Sequence, residues 1–91
     1  MRFLRSFDVS FKNAVDYYEA QDRFLARRFI EAIEHAQQEI ERFPKIGRPM
    51  GDFRGFHLKT FPYRFCYRED TDGALVAVVL FHYKQDGPRL G

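Results

Sequence analysis

Residues 61–68 read Phe61-Pro62-Tyr63-Arg64-Phe65-Cys66-Tyr67-Arg68. Rings hold the odd positions, and Arg64, Cys66 and Arg68 hold even ones. Successive side chains of a strand point to opposite faces, so the pattern predicts a strand with an aromatic side and a cationic side. The aromatic side needs a cover. Downstream, Thr71-Asp72-Gly73 predicts a turn, and Ala74 to Phe81 is a Val-rich apolar run. Such a run reads as a strand buried on both faces, and hence central. Upstream, Phe56-His57-Leu58-Lys59 alternates as a third strand, preceded by a loop over 44–52 with two prolines and two glycines. Short connections make these strands an antiparallel meander. From His82 to Gly91 the chain is polar and turn-rich, and Gly87-Pro88 blocks a further helix.

The first half supplies the cover. Phe7, Phe11, Ala14, Val15 and Tyr18 recur with helical spacing, which predicts a helix over about 7–20 with Ser6 as its N-cap and Asp8 as a competing cap. Leu25, Phe29, Ala32, Ile33, Ala36, Ile40 and Phe43 continue the pattern after a second cap, Asp22, until Pro44 stops it. Two helices joined by so short a link form an antiparallel hairpin. Arg2-Phe3-Leu4-Arg5 can precede them as a short strand. Helices first and strands after predict an α+β fold, a helix hairpin packed on a small twisted, mostly antiparallel sheet, as one domain over 1–91.

Composition narrows the function. The chain has 91 residues, 45% hydrophobic and 31% charged, with eleven Phe, five Tyr and no Trp. That balance excludes compositional disorder, and the rings serve first as core volume. No apolar run spans a bilayer, and MRFLRSFDVS has no signal-peptide core, so a cytoplasmic chain without membrane attachment is expected. A lone Cys66 forms no internal disulfide and no zinc cluster, and no motif calls for a metal, a cofactor or a small-molecule substrate.

The net charge of +2 is unevenly spread. Lys45, Arg48, Arg54, Lys59, Arg64 and Arg68 face a single acid, Asp52, within residues 45–68. A curved sheet would gather His57, Lys59, Arg64, Arg68 and Lys84 on one basic face beside aromatic residues. Such a face suits phosphates, bases or an acidic protein, and equally a plain solvated surface. Cys66 lies between Arg64 and Arg68, whose charges would lower its pKa, although a packing role is the simpler one. His35 reads as an exposed helix residue. His82 ends the Val-rich strand beside Tyr83, where it can act as an acid or base or simply close the strand.

Several stretches together resemble the RelE/ParE superfamily of small bacterial toxins. They are Tyr17-Tyr18-Glu19-Ala20-Gln21, Arg28-Phe29, Phe43-Pro44-Lys45-Ile46-Gly47-Arg48-Pro49, and Leu58-Lys59-Thr60 leading into the strand over 61–68. The resemblance covers roughly residues 7–86 and implies a helix hairpin on a twisted sheet. It further implies a toxin of a type II toxin–antitoxin module, of the kind often described as plasmid stabilisation proteins, silenced by a cognate antitoxin from an adjacent gene.

The superfamily has two branches. RelE-like members cut mRNA on the ribosome, and ParE-like members inhibit DNA gyrase. Arg64 matches the arginine after tyrosine in a RelE-type segment, Lys59 falls at a basic position, and His82-Tyr83 is similar to the ending of a RelE subgroup. These make Arg64, His82 and Tyr83 candidate catalytic residues under the nuclease reading. Gly55, His57 and Gln85 stand where RelE-type cations would lie, while the Ile46-Gly47-Arg48-Pro49 loop and Phe61-Pro62-Tyr63-Arg64 are more typical of ParE-like members. The expectation is therefore a ParE-like toxin acting on a protein such as gyrase. The alternatives are a ribosome-dependent mRNA endoribonuclease and a non-toxic remnant of the fold.

Overall fold

In the computed structural model, which describes residues 1–84, helix α1 spans Arg5–Gln21 and helix α2 spans Arg23–Arg42. Asp22 alone separates them. Its extended backbone ends α1, and its side chain accepts the Phe24 amide at 2.8 Å to start α2. This is the expected cap, because an aspartate at the N-cap satisfies one orphan N–H of the first turn. The first helix differs from expectation. Leu4 stands at its N-cap with no side-chain cap, and Ser6 lies inside the helix. A tertiary contact sets this start: the Leu4 amide donates to the Ala77 carbonyl at 3.0 Å, so the chain turns into the helix where it leaves the sheet.

The sheet has five strands in the order β1-β5-β4-β3-β2. They are β1 (Arg2–Phe3), β2 (Arg48–Met50), β3 (Phe53–His57), β4 (Tyr63–Glu69) and β5 (Leu75–His82). Strand β1 pairs parallel with β5, and every other pair is antiparallel. Four expectations are corrected here. The loop over 44–52 contains a strand, β2, which folds back on β3 through Gly51 at φ +67°. Strand β3 ends at His57, so Lys59 lies in the turn beyond it. Strand β4 starts at Tyr63, because Pro62 has no N–H for a ladder. Finally, β4 rather than β5 is the central strand, and Phe81 of β5 is 39% exposed.

A register shift sits between Cys66 and Tyr67. Cys66 faces Val79 and Tyr67 faces Ala77, which leaves Val78 as the extra residue on β5. The shift sends Ala77 and Leu80 into the core under the helices. Val76 and Cys66 are also buried but lie outside that cluster, on the opposite face.

The core is the predicted contact of helix and sheet rings. Phe29, fully buried, stands 5.1 Å from the rings of Tyr18 and Phe61 and 5.3 Å from Tyr63. Phe7 meets Phe65 at 4.9 Å. Tilted and edge-on pairs at these separations are the favourable ring geometries. Phe43, read as the end of the α2 stripe, is instead 55% exposed, since α2 stops one residue before it. Expectations for residues 85–91, including Gln85 and Gly87-Pro88, lie outside the described residues. Among the described residues no helix is long and apolar enough to cross a membrane.

Candidate functional site

Cross-strand register assigns every side chain of the sheet to a face. Tyr63, Phe65 and Tyr67 point to the helices. Arg64 lies opposite Phe81 on one neighbour and opposite His57 on the other, so these three share the face away from the helices. Arg48 lies opposite Gly55, two residues from His57, on that same face.

These side chains make a small cluster. The Arg64 Nε–H donates to His57 Nε2 at 3.2 Å. Its guanidinium carbon lies 5.8 Å from the Phe81 ring centre and 5.6 Å from that of Tyr83. The Tyr83 ring meets the His57 imidazole edge-on at 5.2 Å. To accept from Arg64, His57 must be neutral at Nε2. Its pKa is accordingly lowered, first by partial desolvation of the ring, then by the charges of Arg64 and Arg48.

Gly55 makes room for this arrangement. A Cβ there would stand 2.5 Å from Met50 Sδ and 3.1 Å from Arg64 Cδ. The Arg64 stem therefore occupies the space that a side chain at position 55 would need.

The remaining sequence-derived residues separate. His82 pairs with Tyr63, and their rings meet at 4.7 Å. His82 therefore lies on the helix side, in a cleft of about 470 Å³ with Ser10, Asn13, Tyr17 and Tyr63. The sheet stands between it and Arg64. Burial holds the neighbouring phenols protonated, with Tyr18 pushed up to about 12 and Tyr63 also raised. Lys59 is exposed in the turn after β3, and Lys84 is exposed just past β5. Arg68 shares the Arg64 face, but its Nε–H binds Asp70 at 3.3 Å. Cys66 reverses its expectation: burial raises its pKa and outweighs the lowering by Arg64.

Apart from Arg64, which is bonded to His57, three of the six cations in 45–68 are engaged by acids or loop carbonyls. Besides Arg68, Lys45 lies 3.6 Å from Glu69. Arg54 donates to the Gly47 carbonyl at 2.8 Å. Among the described residues, no Asp or Glu forms an ion pair with Arg48, Lys59 or Arg64. Sequence reasoning missed Arg48, because it read 44–52 as loop, and Phe81, because it read the last strand as buried on both faces.

The helix side has its own polar seam. The Ser6 hydroxyl donates to the Val78 carbonyl at 2.5 Å, and the Leu80 amide donates to Ser10 Oγ at 2.9 Å. Two hydroxyls one helical turn apart thereby continue the edge of β5 beyond the two residues that β1 covers.

Residues 1–87 match the family model described as ParE toxin of type II toxin-antitoxin system, parDE. No curated protein matches. A solved structure titled "Chromosomal ParDE TA system from P. aeruginosa" superposes with a TM-score of 0.78 at 14% identity, covering 89% of this chain and 91% of that one. At that identity the likeness speaks for the fold.

Proposed function

The chain belongs to the ParE toxin family of type II toxin–antitoxin systems, and from that premise we propose that it arrests growth in the cytoplasm by binding a protein target, with DNA gyrase the family-based candidate. A cognate antitoxin from an adjacent gene keeps it silent. The observation that carries the binding reading is the separation of Arg64 from His82 by the thickness of the sheet. Cleavage of RNA needs a base, a cation and an acid around one phosphate. Here Arg64, His57 and Tyr83 face one way and His82 the other, so the set of Arg64 with His82 is not assembled around one phosphate. The open face instead offers Arg64 beside Phe81 and Tyr83, with Arg48 on the far side of His57, the arginine and aromatic composition of a protein-contacting surface.

Induction of the chain in cells, with mRNA integrity and plasmid supercoiling followed in parallel, tests this. Loss of negative supercoiling with intact transcripts is expected. In-frame mRNA cleavage that disappears with Arg64→Ala would replace the reading with the nuclease alternative.

A further inference from the structure

We infer that Arg48, His57 and Arg64 form a carboxylate-recognition site, which takes an aspartate or glutamate side chain of the protein that covers the open sheet face. The inference rests on the protein-binding reading above and names the chemistry of its contact.

Three adjacent strands bring these side chains together. Arg48 comes from β2, His57 from β3 and Arg64 from β4, all on one face by register. Arg64 is held in place from three directions. His57 takes its Nε–H, Gly55 leaves space for its stem, and Phe81 and Tyr83 flank its guanidinium. That leaves the η nitrogens, which form no hydrogen bond among the described residues. A positioned arginine with its η nitrogens open is matched by the two oxygens of a carboxylate. Arg48 carries no carboxylate either, and it is close enough for its charge to act on His57.

The distribution of charge favours a protein carboxylate over a nucleic-acid backbone. A phosphate backbone needs cations along a track. The basic segment offers no track, because Lys45, Arg54 and Arg68 are turned to Glu69, the loop carbonyls and Asp70. Glu69 and Asp70 themselves place negative charge at that end of β4. What remains is a point site with aromatic walls. At the edge of β3, on the helix side, a separate groove of about 370 Å³ is lined by Ala36, Phe56 and Leu58 together with Glu39 and Lys59.

Binding should also move a proton. The groups facing His57 are Arg48 from β2, Arg64 from β4 and the Tyr83 ring after β5. A carboxylate seated among them offsets the two positive charges, so His57 takes up a proton more readily in the complex than alone.

The test uses the full chain, isotopically labelled, with a capped triglutamate peptide as probe. NMR follows the His57 imidazole and the Arg64 Nε–H as peptide is added at several pH values. The expected result is a saturable response of both groups, with the His57 midpoint moving up and affinity rising as pH falls. Arg48→Ala and Arg64→Ala should each remove the saturable response, and Arg68→Ala should keep it. Absence of saturation, or an equal response in Arg48→Ala and Arg64→Ala, overturns the site. So does an oligothymidylate of matched charge that moves the same resonances at lower concentration, since that result assigns the face to nucleic acid. Growth inhibition is scored separately. A toxin that lowers supercoiling but ignores the peptide keeps its function and loses this site, whereas peptide binding without any effect on cells keeps the site and loses the function.

Discussion

The Tyr67 hydroxyl accepts the Gly47 amide at 2.9 Å and donates to the Pro44 carbonyl at 2.7 Å, so one fully buried phenol closes the loop before β2 onto the central strand. Arg54, opposite Tyr67 in the ladder, holds the Gly47 carbonyl from the other side. This clamp fixes where β2 begins, and therefore where Arg48 stands.

Removing the hydroxyl should cost more than its size implies. Tyr67→Phe leaves the Gly47 amide and the Pro44 carbonyl without their partner, at about 1–3 kcal/mol for a group left unsatisfied. Gly47→Ala attacks the same contact sterically, since a Cβ would stand 2.7 Å from the Tyr67 hydroxyl. Both variants should lower the urea midpoint with an unchanged slope. Wild-type midpoints in both would mean that the clamp contributes nothing.

The face of α2 gives a second test. Ile33 is 5% exposed beneath the sheet, and Glu34 follows it on the solvent side. Ile33→Ala should cost about 2–5 kcal/mol, the range for emptying a packed aliphatic site. Glu34→Ala should stay within about 0.5 kcal/mol, as surface changes do. Equal, small shifts in the two melting curves would contradict the packing described.

Gly55 is expected to matter through Arg64. In Gly55→Ala the flexible Met50 side chain can swing away, but the Arg64 stem, 3.1 Å from the new methyl, must shift. The variant should fold with a near-normal midpoint, lose the NMR signature of the Arg64–His57 bond, and lose growth inhibition in parallel with Arg64→Ala. Full toxicity with an unmoved Arg64 resonance would show that the position tolerates a side chain.

Toxicity should follow the open face. Arg64→Ala and Phe81→Ala should each weaken inhibition of purified gyrase by about tenfold or more, the scale of an interface hot spot. His82→Ala, on the helix side, should cost little. A His82→Ala variant as inactive as Arg64→Ala would point to an acid–base role and away from simple binding.

His57 predicts a pH dependence with a definite sign. Its folded pKa lies below the ordinary value of 6.5, so near that value the unfolded chain binds more protons than the folded one. Stability contributed by neutral His57 is then present above the unfolded pKa and is lost as pH falls below about 6.5 towards the folded value. In His57→Gln this part of the acid sensitivity should vanish. Denaturation midpoints measured across this range in both proteins check it, and parallel curves would refute it.

Apart from β2, the element types, their order and most of the core followed from the sequence alone. Helical spacing marked Phe7, Ala14, Tyr18, Phe29, Ile33 and Ile40, all of which are buried. Period-two alternation marked Tyr63, Phe65 and Tyr67 as the inward side of β4 and Arg64 and Arg68 as the outward side. Those assignments rest on local geometry, because the spacing of apolar residues along an element fixes which side it can bury. The site was only half legible for the opposite reason. Nothing local reveals that Val78 is an extra residue, that β1 joins β5 in parallel, or that residues 48–50 form a strand. The register created by long-range pairing places Phe81 beside Arg64, His82 across the sheet from it, and Arg48 next to His57. A shift of one residue exchanges the faces of everything beyond it, so only the assembled sheet decided which of the basic residues meet.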